Sequence, residues 1–221
     1  MPRSDDTYDS FVEHPRYGKR PKVTGLNPRS DDKRVFLHWH SSVECRIPGT
    51  AIQADLSRQT PATVTVTHYF DVKRICDCGR SFIFFAEEQK HWYEELGFRL
   101  ESDCVRCPAC RKKLHGIARK RERYEELFHV LERSVEQNLE MAECCLTLVE
   151  DAVFHLRQLE RVRMLLNRIP ETHRSDMQFV QLVARLRAVE KRNSEPGSAP
   201  NGGPAASADN SSARGGPPSV S

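Results

Sequence analysis

Residues 101–110 read ESDCVRCPAC and place three cysteines, Cys104, Cys107 and Cys110, at even spacing along one short segment. A metal site built on Cys-x-x-Cys needs two of them, so the third requires an explanation. Pro108 is favoured at the first position of a helix, which makes Cys107 the N-cap and Cys110 the third helical residue. Both sulfurs then lie beside free N–H groups at the positive helix end, where thiolates are favoured. We therefore predict that Cys107 and Cys110 are the functional pair and that Cys104 is a spare cysteine, either packed nearby or in weak contact with the site.

A second cysteine pair lies upstream, where Cys76 and Cys78 precede Gly79 in the segment ICDCGRSF. A cysteine turn, a strand, a connecting segment and a helix that supplies two more ligands form the treble-clef arrangement, and four thiolates suit structural zinc. The predicted Zn²⁺ ligands are Cys76, Cys78, Cys107 and Cys110. Only one residue separates the first two, one fewer than in the usual turn. Three residues therefore remain alternatives to a member of that pair: Cys104, His68 and His91.

The composition and the start of the chain predict that these cysteines are in a reducing compartment. The chain has 221 residues, a net charge of +3 and eight cysteines, of which five fall between Cys76 and Cys110. The first ten residues lack the apolar segment of a signal peptide, and no apolar run is long enough to cross a bilayer. We therefore expect a cytoplasmic protein that binds no membrane and whose clustered cysteines bind metal rather than form disulfides. The other cysteines, Cys45, Cys144 and Cys145, are expected to be small buried hydrophobes.

The N-terminal third predicts little regular structure. Proline and glycine interrupt the polar residues 1–33, which we predict to be a flexible lead-in. Alternating residues predict strands over 34–40 and 62–70, and together these strands predict a small antiparallel unit. His38 and His40 share a strand face and could bind a metal, but no third ligand is evident, so a polar strand surface is favoured. The predicted domains are a lead-in (1–33), a short β-strand region (34–70), a treble-clef-like zinc-binding module (71–115), an α-helical region (116–192) and a disordered tail (193–221).

Within the module, residues 81–85 predict a short strand, and the following segment predicts a helix that ends before Gly97. From Ile117 to Ile169 there is no glycine or proline, and apolar residues recur every three or four positions, which indicates one long helix or a hairpin. The capping-box pattern SVEQ at 134–137 favours a break, and SDMQ at 175–178 opens a last helix. We favour an intramolecular three-helix bundle and retain a homodimer through the helical region as the alternative.

Basic residues crowd around and beyond the last cysteine pair, which makes this segment a candidate reader of nucleic-acid phosphates. The candidate contacts are Lys112, Lys113, Arg119, Lys120 and Arg123. The alternative is structural, because four thiolates around Zn²⁺ leave a charge of about −2 that arginines can compensate. The arginines near the cysteines are Arg74, Arg80, Arg106 and Arg111. RNA, DNA and protein therefore all remain candidate partners.

The sequence offers little support for catalysis. No phosphate loop, dinucleotide fingerprint or nucleophile elbow is present. Cys107-Pro-Ala-Cys110 is similar to a thiol–disulfide oxidoreductase motif, but that motif needs a βαβ context that this chain does not predict. We therefore predict a non-catalytic zinc-binding protein whose structural zinc orders a module for macromolecular interaction. A protein–protein adaptor or self-associating helical scaffold is one alternative, and the oxidoreductase is another.

The motifs CDCGRSFIFFAEEQKHWYEELGF and RCPACRKK together resemble the bacterial probable zinc-ribbon (treble-clef) zinc-binding domain family. The resemblance covers residues 69–113, about a fifth of the chain. It implies zinc held by Cys78, Cys107 and Cys110, with Cys76 standing in for a cysteine that the family places one residue earlier, where this chain has Ile75. The predicted fold class is thus α+β: a small treble-clef-like zinc module with short antiparallel N-terminal strands, then an α-helical bundle or hairpin and a disordered tail.

Overall fold

The computed structural model describes residues 8–29, 32, 34–38, 41–61 and 65–194. The chain folds as two units, Met1–Glu122 and Arg123–Ser221, each with its own interior. Short antiparallel strands precede a series of helices, which confirms the predicted α+β class. Among the described residues, no helix is both long enough and apolar enough to span a membrane.

Two small antiparallel sheets form the first unit. Strands β1 (Ile52–Gln53) and β2 (His68–Tyr69) form one pair, and strands β3 (Val72–Ile75) and β4 (Ser81–Phe84) form the other. In the second pair Val72 lies opposite Phe84, and Ile75 lies opposite Ser81. This register places residues 76–80, with the first two cysteines, in the connecting turn.

Within the described residues, the strand predicted over 34–40 is absent, and the strand predicted over 62–70 is present only at His68–Tyr69. Residues 34–38 make a single parallel bridge between Leu37 and His68, and β2 is the only strand within the described part of 62–70. The Phe36 N–H donates to the Thr67 hydroxyl at 3.0 Å, whereas in a longer β-ladder it would donate to a backbone carbonyl. His38 is buried, with Nε2 2.7 Å from the Leu100 carbonyl oxygen, rather than part of a polar strand surface. Its predicted neighbour His40 lies outside the described residues.

Part of the predicted lead-in belongs to the core of the first unit. Tyr8, Phe11 and Tyr17 pack against a buried cluster formed by Ile47, Ile83 and Phe85. The Val12 N–H donates to the Ser81 carbonyl at 2.8 Å, which fixes the segment beside β4. Residues 8–29 therefore differ from the flexible lead-in that their proline and glycine content predicts, because aromatic side chains anchor them. Residues 1–7 lie outside the described range.

The helix of the module begins where the sequence predicts. Helix α1 (Ala86–Lys90) continues as a π-helical turn (His91–Glu95), and Gly97, at φ 67°, follows its C-cap. Buried Asp71 accepts bonds from the Ala86 N–H at 2.7 Å and from the Lys22 N–H at 2.8 Å. This carboxylate therefore satisfies a free donor at the start of α1 and ties it to the N-terminal segment.

Four longer helices follow: α2 (Pro108–Phe128), α3 (Val135–Glu150), α4 (Leu159–Asn167) and α5 (Met177–Ser194). The predicted capping box is present, since Ser134 Oγ accepts from the Gln137 N–H at 3.2 Å and the Gln137 side chain accepts from the Ser134 N–H. A second break, after α3, was not predicted. Ala152 adopts φ 57°, and the N–H groups of residues 153 and 154 return to the Leu148 carbonyl. Short 3₁₀ turns (Leu156–Gln158 and Glu171–His173) precede α4 and α5.

Helices α3, α4 and α5 pack against one another, as the predicted intramolecular bundle requires. Leucine and valine side chains from all three are buried, and α3 alone buries Leu139, Leu146, Leu148 and Val149. Burying these faces needs no second copy, and a homodimer stays an alternative prediction. Residues 193–194 of the predicted disordered tail belong to α5, and the rest of the tail lies outside the described residues.

Candidate metal centre

The first two cysteines lie in the tight turn between β3 and β4. The Cys76 N–H donates to the Arg80 carbonyl at 2.9 Å, and the Gly79 N–H donates to the Cys76 carbonyl at 2.8 Å. Gly79 has φ 80°, a left-handed conformation that glycine adopts without steric penalty. The turn therefore depends on the glycine that follows Cys78, and it holds both cysteines in one short loop.

The second pair lies at the start of α2, which begins at Pro108 as predicted. The Arg111 N–H donates to the Cys107 carbonyl at 3.0 Å, so Cys107 occupies the position before the first helical residue. Cys107 is fully buried, whereas Cys110, one turn later, is half-buried. Proline at the first position and cysteine on either side thus bring two sulfurs to one helix end.

The structure brings the sulfurs of Cys76, Cys78, Cys107 and Cys110 within 4.8 Å of one another. Four sulfurs at about 2.3 Å from a tetrahedral zinc ion are about 3.8 Å apart, so this set fits such an ion after a small contraction. Among the described residues, it is the only group of three or more potential ligands this close. Two of the sulfurs belong to buried residues and one to an exposed residue, so the site lies at the edge of the core.

Arg80 supplies positive charge to the cluster. Its Nε lies 3.3 Å from Cys78 Sγ, and its Nη2 lies 3.8 Å from Cys107 Sγ. The guanidinium lowers the pKa of Cys78 to about 6, whereas hydrogen bonds with neighbouring sulfurs, Cys107 first, raise the pKa of Cys110 to about 12. Several thiols at this separation resist ionising together, and a divalent cation is the partner that allows all four to become thiolates.

The other three arginines expected around the cysteines are bound to carboxylates. Arg74 pairs with Asp103 at 2.6 Å, Arg106 with Asp77 at 3.0 Å and Arg111 with Glu88 at 2.7 Å. The predicted compensation of the sulfur charge is therefore carried by Arg80, two residues after Cys78. Arg74 and Arg106 hold loop residues near the site, and Arg111 joins α2 to α1.

The three alternative ligands occupy other environments. Cys104 is buried beside Cys76, Phe82 and Cys107, and its thiol lies 3.5 Å from the Arg106 carbonyl oxygen. Burial raises the pKa of Cys104 to about 12, as is typical of an apolar packing residue. The imidazole of His68 contacts the Thr67 hydroxyl, and that of His91 contacts Glu95 at 2.6 Å. The geometry thus places Cys104 in the packing behind the quartet.

The sequence did not reveal that Glu88, Trp92 and His14 support the site. Glu88, buried on α1, lies 2.7 Å from Arg111 on α2 and 3.2 Å from His14 in the N-terminal segment. The Arg111 guanidinium also lies 5.1 Å from the centroid of Trp92. Glu88 reads in the sequence as an ordinary acidic residue of a first helical turn. Its role depends on partners 74 and 23 residues away, so no local pattern could reveal it.

The candidate nucleic-acid contacts lie along α2. Lys112, Lys113 and Arg119 are exposed, and Lys120 is half-buried. Arg123 belongs to the second unit, where its guanidinium donates to Glu140 at 2.7 and 2.9 Å and to Glu126 at 2.9 Å. Four of the five candidates therefore lie within the first four turns of α2, on two sides of the helix, and the fifth is paired with carboxylates.

A family model described as a probable treble clef domain matches residues 70–119. The match spans β3, β4, α1, the first half of α2 and all four clustered cysteines, and it confirms the resemblance seen in the sequence. No curated protein and no solved structure matches the chain. The fold and the cysteine cluster together define a treble-clef module suited to a metal ion. Modules of this class are usually structural rather than catalytic.

Proposed function

We propose that the chain is a non-catalytic protein in which one Zn²⁺ ion, held by Cys76, Cys78, Cys107 and Cys110, orders the first unit for binding to another macromolecule. The observation that carries this proposal is the approach of two cysteine pairs, one in the β3–β4 turn and one at the start of α2, to within 4.8 Å. Four thiolates complete the tetrahedral shell of zinc and leave no open position for substrate, as in structural sites.

Zinc would act as a crosslink between the hairpin and α2. Structural zinc contributes on the order of 10 kcal/mol to the folding of small modules. Four thiolates and Zn²⁺ carry a charge of about −2, and Arg80 offsets part of it through its contacts with two sulfurs. The chain's own residues thus supply the ligands, the tight turn and the compensating charge.

The arrangement favours this role over thiol–disulfide exchange. An oxidoreductase attacks with the leading thiol of its Cys-x-x-Cys motif, which must be accessible. Here the leading thiol belongs to Cys107, which is fully buried and surrounded by three other sulfurs. A closed metal site explains both features.

The charge distribution favours an anionic partner. Residues 1–107 contain 16 Lys or Arg and 16 Asp or Glu, whereas residues 108–122 contain six Lys or Arg and one Glu. All the net positive charge of the first unit therefore lies on α2, where it can attract nucleic acid or an acidic protein. Lys112 and Arg119, which share one side of α2, are the residues proposed for this surface, whereas Lys113 and Lys120 lie on roughly the opposite side of the helix.

Metal analysis of the purified full chain and its Cys→Ser variants tests the proposal. We expect one zinc per wild-type chain, and loss of zinc in each of the variants at 76, 78, 107 and 110. The matched control, Cys104→Ser, should keep the metal because Cys104 packs behind the site. Zinc that is lost in Cys104→Ser and kept in Cys76→Ser would overturn the ligand assignment. A folded wild-type chain without metal would overturn the function itself.

A further inference from the structure

A groove of about 390 Å³ lies beside the metal centre, between the loop that leads into α2 and the first three turns of that helix. Val105 and Leu114 line it, and they are 50% and 43% exposed. Apolar side chains this exposed are typical of interaction surfaces when they adjoin a concave site. The groove lies wholly within the first unit.

Three charged residues of the lining, Asp103, Arg106 and Arg111, already have ion-pair partners. Arg111 is held between the carboxylate of Glu88 and the ring of Trp92. Asp103 is the acidic residue of the lining, and its carboxylate accepts bonds from Arg74 at 2.6 Å and from the Cys104 N–H at 2.8 Å. A ligand would therefore contact an apolar surface whose bordering charged side chains are already held in place, and the Asp103 carboxylate there is already paired with an arginine.

Charge on α2 is arranged around this groove. The helical residues of the lining recur at spacings of three and four, which places them on one face: Arg111, Leu114, His115 and Ala118. At about 100° per residue, Lys112 and Arg119 lie together beside one edge of that face, whereas Lys113 and Lys120 lie on roughly the opposite side of the helix. An apolar strip is thus bordered by positive charge that a partner at the groove would meet.

We propose that the groove binds an acidic segment of a partner protein, which places one apolar side chain between Val105 and Leu114 and carboxylates beside Lys112 and Arg119. Charge complementarity selects an acidic partner, and the apolar lining selects a side-chain anchor of the kind found in peptide-recognition grooves. Nucleic acid would instead engage basic residues through phosphates and gain little from an exposed leucine and valine. The inference rests on the proposed function, because zinc holds the start of α2 that forms one wall.

Peptide display on the zinc-loaded full chain tests the inference without a known ligand. Random 12-residue peptides are selected, and the tightest binder is synthesised and measured by fluorescence anisotropy, in parallel with a 20-base-pair DNA and a 20-nucleotide RNA. The groove variants are Leu114→Ser, Val105→Ser and the double variant Lys112→Glu/Arg119→Glu. The matched control is Lys113→Glu/Lys120→Glu, which reverses the same charge on the other side of the helix. Zinc content and circular dichroism check that each variant is folded.

We expect the selected peptides to carry acidic residues next to an apolar one. Leu114→Ser and Lys112→Glu/Arg119→Glu should each weaken binding about tenfold or more, and the control should remain within about twofold of wild type. Failure to enrich acidic peptides would overturn the inference, and so would groove variants that bind the peptide as tightly as wild type does. It would also be overturned if DNA or RNA binds and the two charge reversals weaken that nucleic-acid binding equally. One zinc per chain in the same samples would show that the metal part of the proposed function survives that failure.

Discussion

The two units of the chain bury their interiors in different ways. The described core of the first unit is divided among small clusters, each with a few aromatic or aliphatic side chains, and one of them includes Cys76 and Cys107. The second unit covers leucine and valine side chains from three mutually packed helices. Small, separated clusters provide little hydrophobic stabilisation each, so we expect the proposed metal crosslink to matter for the stability of the first unit and not for that of the second.

The same contrast appears in the chemistry of cysteine. Contact with Arg80 lowers the pKa of Cys78 to about 6, whereas burial raises the pKa of Cys145 on α3 to about 11. A thiol whose pKa is set by a guanidinium or by neighbouring sulfurs is suited to metal binding, whereas a thiol whose pKa is raised by burial behaves as a small hydrophobe. Environment rather than residue type therefore separates the two roles, and each of the following substitutions tests that separation.

The largest expected difference in stability is between Cys107→Ala and Cys145→Ala. Both side chains are fully buried, so burial alone would predict similar effects. Cys107→Ala should abolish zinc binding and remove stabilisation on the order of 10 kcal/mol from the first unit. Cys145→Ala should cost roughly 1 kcal/mol and leave zinc in place. Denaturant unfolding gives the loss of stability in each variant, and metal analysis gives its zinc content. Equal losses in the two variants would contradict the proposed difference between the units.

Leu148→Ala should act on the second unit alone. Leu148 is fully buried on α3, and truncation to alanine should destabilise that unit by about 2–5 kcal/mol through lost burial and a residual cavity. Zinc content should stay at one per chain. The matched control is Leu131→Ala at a position that is 98% exposed, where we expect a change within about 0.5 kcal/mol. Zinc loss in Leu148→Ala would show that the second unit supports the metal site.

Arg80→Gln should lower zinc affinity by about 10- to 100-fold, the usual effect of removing a group that contacts metal ligands. Removal of the guanidinium also raises the pKa of Cys78 above its value of about 6, so protons compete with zinc at a higher pH. The midpoint of zinc release on acidification should therefore move to higher pH. Competition with a chromophoric chelator measures both effects. Arg106→Gln is the control, since that side chain pairs with Asp77, and an equal shift there would argue against a specific role for Arg80.

The smallest effect is expected at the cap of α3. Ser134→Ala removes the acceptor for the Gln137 N–H and should destabilise the second unit by about 1 kcal/mol. Ser134→Asp keeps an acceptor and should restore most of the loss. Thermal unfolding followed by circular dichroism distinguishes the two, and equal stability of both variants would mean that the cap is replaced by solvent.

Features that depend on neighbouring residues could be predicted from the sequence. The start of α2 follows from Pro108, and the start of α3 follows from the capping box at Ser134 and Gln137. The resemblance to a treble-clef family likewise rests on short motifs, and the family match at 70–119 confirms it. Local steric and hydrogen-bonding preferences decide these features, so the sequence displays them directly.

Features that depend on distant partners could not be predicted. The break after α3 places Ala152 at a positive φ, where glycine is the usual signal. Hydrogen bonds from residues 153 and 154 to the Leu148 carbonyl, and the contact of Phe154 with Tyr124, hold this turn without a glycine. The aromatic anchors at Tyr8 and Phe11 look like part of a polar lead-in until their distant partners are known. Glu88 gains its role from Arg111 and His14 in the same way.

Zinc K-edge X-ray absorption of the purified full chain is the decisive measurement of the four-cysteine zinc site, because it reports the identity, number and distance of the atoms around the metal. We expect one zinc per chain surrounded by four sulfurs at about 2.3 Å. A shell with nitrogen or oxygen at about 2.0–2.1 Å in place of a sulfur would rule out the all-cysteine site. A well-folded chain with no zinc signal would rule out the zinc-ordered first unit altogether.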